Sequence, residues 1–78
     1  MNGYVYIFMR SELDINRTNL VCAYRKKESV IEALKKRVKE IDTDYYKVEK
    51  VNDLYYIIRE KESGDPVYVY YVAGSRVM

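Results

Sequence analysis

Histidine, tryptophan and glutamine are absent from this 78-residue chain, and cysteine and proline occur once each. Each absence removes a class of chemistry. Without imidazole, general acid–base catalysis near neutral pH loses its usual carrier. Cys22 has no histidine to lower its pKa, so the thiol reads as a small core residue inside a strand rather than a nucleophile. One cysteine forms no disulfide within the chain, and a lone thiol without imidazole cannot supply a four-ligand structural zinc site. The longest uncharged apolar run is far short of the roughly 20 residues that cross a bilayer as a helix. Met1 to Arg10 lacks the charged start and apolar stretch of a secretory leader, so an intracellular, cytoplasmic protein is expected.

What is present describes a folded domain. Apolar types make up 49% and charged types 33% of the residues, which separates the chain from disordered and membrane-embedded classes. A single domain of this length hides only about 60 to 65% of the surface its unfolded form exposes, so its core is thin. With 14 basic and 12 acidic side chains the net charge is +2. That is too balanced for a protein holding nucleic acid mainly by counterion release, and it also excludes an acidic DNA mimic.

Along the chain, "YVYIFM" (Tyr4 to Met9) alternates with apolar residues on both sides, as in an inner strand or one whose aromatic face meets another molecule. The polar stretch "RSELDINRTN" reads as a long loop, and "LVCAY" as a second strand with Leu20, Cys22 and Tyr24 on one side. In "SVIEALKKRVKEI", Ser29 and Glu32 have the spacing of a capping box that starts a helix. Val30, Leu34, Val38 and Ile41 form its apolar stripe, and Asp42, Thr43 and Asp44 release it. Three strands follow: "YYKVEKV", "LYYIIRE" after a tight turn at Asn52 and Asp53, and "DPVYVYYVAG" after a turn at Gly64, with Gly74 ending the run. The expected fold is therefore α+β, an antiparallel sheet of about five strands in the order ββαβββ with one amphipathic helix on one face.

Little in the chain points to catalysis, so no enzymatic activity, cofactor or metal is expected. Glu12 with Asp14, and Asp42 with Asp44, are close acidic pairs able in principle to hold magnesium, but loop and turn formation explains them more simply. Ser75 beside Gly74 and Arg76 faintly suggests anion binding. "NRT" at Asn16 to Thr18 matches a glycosylation acceptor, a modification that needs export.

Two surfaces stand out. Ten tyrosines, with adjacent pairs at 45/46, 55/56 and 70/71, must put rings on both sides of the strands, while one helix covers one side. Tyrosine supplies large contact area at low entropic cost. An interaction face carried by Tyr4, Tyr6, Tyr55, Tyr68 and Tyr70 is expected, with help from the Arg10 to Asn19 loop, and self-association into a homodimer is its simplest use. The alternative use is edge-to-edge pairing of the first or last strand with a copy of itself or a target's sheet. The alternative surface is basic: Arg25, Lys26, Lys35, Lys36 and Lys39, with Lys27 and Arg37, would take phosphates while tyrosines stack bases. Its plainer explanation is a solvated helix face diluted by Glu32 and Glu40.

The strand opening in "NGYVYIFM", the strand running into a basic helix in "CAYRKKESVIEALKKRVKE" and the tyrosine-rich strand tail together resemble small accessory proteins encoded by phages and archaeal viruses. That resemblance implies a protein acting in the host cytoplasm by binding a host protein, including components of defence or transcription, and less often a nucleotide signal or nucleic acid.

Overall fold

The computed structural model describes the backbone of residues 3–77 and the side chains of residues 4–74. It contains β1 (Gly3–Glu12), β2 (Arg17–Tyr24), α1 (Lys27–Lys39), β3 (Tyr46–Asn52), β4 (Tyr55–Glu60) and β5 (Pro66–Val77). The strands form one antiparallel sheet in the order β2-β1-β5-β4-β3. The fold is α+β in the order ββαβββ, as the alternation and the single helical stripe imply.

Helix α1 packs on β1, β2 and β5. Val30 and Leu34 are fully buried against Phe8, with Tyr56 and Tyr70 closing the cluster and Val38, Ile41, Ile31 and Ala33 at its margin. Only Phe8, Leu34, Ile58 and Val30 are wholly withdrawn from water among the described residues. Burial of each such side chain stabilises the fold by about 1.5 to 3 kcal/mol. Ile58 is buried on the same face as the helix but outside the Phe8 cluster, flanked across the strands by Val48 and Tyr68.

Several local expectations are corrected. The helix starts earlier than the capping box predicts: Lys26 is the N-cap, with no side-chain cap bond, and Ser29 lies inside the first turn. Lys27 and Glu28 are good helix formers, and Glu28 near the start with Lys36, Arg37 and Lys39 near the end suits the helix dipole. The "RSELDINRTN" stretch is not a long loop. Strands β1 and β2 run into it, Ser11 and Thr18 hydroxyls meet at 2.9 Å, and Asn16 takes a positive φ of 51° in the connecting turn. β5 recruits these polar positions by pairing Arg10, Ser11 and Glu12 with Tyr70, Val69 and Tyr68. Gly74 does not end β5, which continues to Val77. A side chain there would strike the ring of Tyr4, 2.4 Å from the position of an added Cβ, so glycine lets that ring lie across the strand. Gly64 adopts φ 76° in the β4–β5 turn, as its position predicts.

A register shift opposite Phe8 and Met9 makes a bulge at Val21. Both Val21 and Cys22 then pack against the core, and Leu20 moves to the other face, beside Met9, where it is 60% exposed. Strict alternation, which puts Leu20 with Cys22 and Tyr24, fails at this extra residue. β1 and β5 are interior strands, so neither offers a free edge. The edges are β2 and β3, and β3 carries Lys47, Glu49 and Lys50, charges that discourage edge pairing.

Candidate functional site

Register assigns every strand residue to a face, because residues directly opposite one another in antiparallel strands share a side. Tyr4, Tyr6, Tyr68 and Tyr70 stand on the side of Phe8 that carries the helix. Tyr55, opposite Tyr71, stands on the other side. The expectation that all five tyrosines share the open face is therefore corrected. In β5 the valines Val67 and Val69, not Tyr68 and Tyr70, turn away from the helix, because Phe8 pairs with Val72 and fixes that parity. Tyr70 is 8% exposed and belongs to the core. The adjacent pairs do split: Tyr56 and Tyr70 are buried, Tyr55 and Tyr71 face away, and Tyr45, just before β3, is 69% exposed.

The helix side is aromatic and polar. Tyr4 and Tyr6 lie with ring centroids 5.3 Å apart, Phe8 and Tyr70 5.8 Å, and Tyr46 and Tyr68 6.1 Å. The Arg10 guanidinium sits 4.6 Å over the Tyr68 ring and its Nη2 lies 3.5 Å from Glu12 Oε1. Such a cation over a ring is worth about 0.5 to 2 kcal/mol, depending on how far it is desolvated.

The uncovered side is largely apolar. One row runs across four strands as Leu20, Met9, Tyr71 and Tyr55, and the next as Ser11, Val69 and Ile57. Ile7 and Val5 extend the patch. All of these apart from Leu20 and Tyr55 are half-buried by their own neighbours, and no helix lies over them. Glu49 and Arg59 join at 3.1 Å at the β3–β4 side. The sequence signal for this face is the apolar character of both sides of β1.

Between α1 and β2 runs an open groove of about 650 Å³, walled by Val21, Cys22, Tyr24, Ala33, Lys36 and Arg37, among others. A smaller cavity of about 60 Å³ lies beside it, lined by Phe8, Arg10, Val21, Arg37 and Tyr70. The Arg10 Nε atom is buried with no hydrogen-bond partner.

Burial raises the pKa of the Tyr70 phenol above its ordinary value of 10.0, while Arg10 and Arg37 pull it down less strongly. A proton held more tightly in the folded state gives a stabilisation that is complete below pH 10 and lost as pH rises through the raised value. We therefore expect the urea midpoint to fall above about pH 10, and Tyr70→Phe to lessen that fall. An identical alkaline loss in the two proteins would show that Tyr70 does not cause it.

Arg25, Lys26, Lys35, Lys36 and Lys39 are all exposed, and none takes part in an ion pair among the described residues. Glu28, Glu32 and Glu40 are interleaved with them. Asp42 is a turn residue, its Oδ1 accepting from the Asp44 amide at 2.9 Å. Glu12 is engaged by Arg10, and Asp14 is exposed in the turn after β1. Cys22 is half-buried, as a strand thiol should be. The side chains of Ser75 and Arg76 lie outside the described residues. Among the described residues no helix is long and apolar enough to cross a membrane.

No family model, curated protein or solved structure matches the chain.

Proposed function

We propose that the chain is a non-enzymatic interaction protein that works as a homodimer closed through its uncovered sheet face. One observation carries this reading: a largely apolar surface of aliphatic side chains and two tyrosines spans four strands and is covered by no other described element. Isolated exposed apolar residues are ordinary, whereas a contiguous apolar patch marks a contact surface.

The size of the molecule supports a second copy as the occupant. Its accessible surface is 5756 Å², against about 5,000 Å² for a compact monomer of this mass. The extents are 49 × 23 × 17 Å and the radius of gyration is 13.4 Å, where about 11.5 Å suits a compact domain of this length. The excess area is close to the roughly 800 Å² that each partner buries in a standard interface. Charge also favours self-pairing. The patch centre is uncharged, and at its β3–β4 border Arg59 is already joined to Glu49, with Lys47 exposed beside them, so two copies bring no charge to the middle of the contact.

Capture of a host protein, implied by the resemblance to viral accessory proteins, then falls to the helix side, where Tyr4 and Tyr24 stay accessible. Nucleic-acid binding is the weaker reading, because acidic residues interrupt the basic helix side and the net charge is only +2.

Sedimentation equilibrium tests the proposal. The protein should sediment as a dimer, and the double variant Ile7→Lys, Val69→Lys should sediment as a monomer with unchanged circular dichroism. Those positions lie on neighbouring strands but are not opposed, so the added charges spare the sheet. Burying unpaired ammonium groups should weaken association by about 100-fold or more. A monomeric parent protein, or a variant as dimeric as the parent, would remove this face as the contact.

A further inference from the structure

We infer that the cavity between Arg10, Arg37 and Tyr70 is a binding site for a single oxyanion, the carboxylate or phosphoryl group of a small ligand. It lies on the helix side and does not depend on the dimer face.

Four features converge there. Two guanidinium-bearing side chains line a space of about 60 Å³, roughly the liquid volume of two water molecules. The lining contains no carboxylate: its other members are Phe8, Val21 and Tyr70. Glu12 meets Arg10 only at Nη2, 3.5 Å away, and Glu40 stands on the groove wall outside the cavity. Arg10 Nε is buried and without an acceptor, and a buried N–H is costly unless something accepts from it. Arg37 takes part in no ion pair among the described residues.

Arg37 has no carboxylate partner among the described residues and Arg10 has one only at Nη2, so an anion in the space they line is attracted to both. Guanidinium suits the task, since its planar fork matches the geometry of carboxylate and phosphate. The Tyr70 phenol is a neutral hydroxyl at the same wall. The Val21 bulge also borders the cavity, and bulges concentrate where a strand must re-aim side chains beside a site. The groove, which shares Phe8, Val21 and Arg37 with the cavity, has the volume of a small-molecule cleft and gives the remainder of a ligand its place.

The test is titration of the ¹⁵N-labelled protein with inorganic phosphate and, separately, with acetate, each against chloride at matched ionic strength, following the arginine Nε–Hε signals. The Arg10 signal should shift saturably with at least one oxyanion and not with chloride. The tighter of the two identifies the ligand group as phosphoryl or carboxylate. Arg37→Gln, at an exposed helix position that tolerates glutamine, should weaken binding about ten-fold or more, as should Arg10→Lys, which keeps the charge but loses the Nε–H. Lys35→Gln, exposed on α1 and lining neither groove nor cavity, should leave affinity unchanged. An Arg10 signal indifferent to both oxyanions overturns the inference. So does a loss in Lys35→Gln equal to that in Arg37→Gln, which would mark diffuse attraction to the helix.

Discussion

Phe8→Ala should leave the chain without a cooperative unfolding transition at room temperature. Phe8 is fully buried at the point where α1, β1 and β5 meet, and it contributes to the core cluster, the groove and the cavity together. Truncating a buried phenylalanine costs about 3 to 5 kcal/mol, the lost transfer energy plus the space left behind. A domain of this length is stabilised by about 4 to 12 kcal/mol in total. With four wholly buried side chains among the described residues, this one belongs in the lower part of that range, so the substitution removes most of the margin. The measurement is a urea titration followed by far-ultraviolet circular dichroism. A sharp transition displaced by less than about 1.5 kcal/mol would mean that the core is held elsewhere.

Val69→Pro should be equally severe for a different reason. Val69 sits in the middle of the central strand β5, opposite Ser11 on one side and Ile57 on the other. Proline fixes φ near −65° and has no N–H, so it cannot continue a ladder paired on both sides. The unpaired acceptor costs about 1 to 3 kcal/mol, and the backbone mismatch adds to it. Because β5 alone joins the β2–β1 half of the sheet to the β4–β3 half, the damage is not local. Amide signals collapsed into the narrow dispersion of an unfolded chain are the expected result. Native dispersion in this variant would show that the two halves hold together without an intact β5.

The fold class and the faces of α1 were legible because the helical stripe of Val30, Leu34, Val38 and Ile41 has one period and no competitor. Gly64 was legible too, as a turn glycine that takes φ 76°. What resisted reading was set by long-range pairing. Ser11, Glu12 and Arg17 have little strand propensity and become strand by pairing with β5 or with the facing residues of β1 and β2. The bulge at Val21 reverses the face of Leu20, and no local residue announces it. In β5 an alternation is plain from the sequence, but which parity faces the helix depends on the pairing of Phe8 with Val72, an interaction across 64 positions of chain. That pairing puts Tyr68 and Tyr70 on the helix side and leaves Val67, Val69 and Tyr71 on the open surface. Arg10 and Arg37 were invisible as a pair for the same reason: one lies on β1 and the other on α1, and only packing brings them to one cavity.

The interior position of β5 also has a consequence for synthesis. It leaves the ribosome after the other four strands, so the nascent chain first holds two separate pieces, β1 with β2 and α1, and the β3–β4 hairpin. Until β5 arrives, β1 and β4 each present an unfilled row of amides and carbonyls to solvent. Such rows template pairing with other chains, so the interval before β5 emerges is when the sheet is most exposed to aggregation.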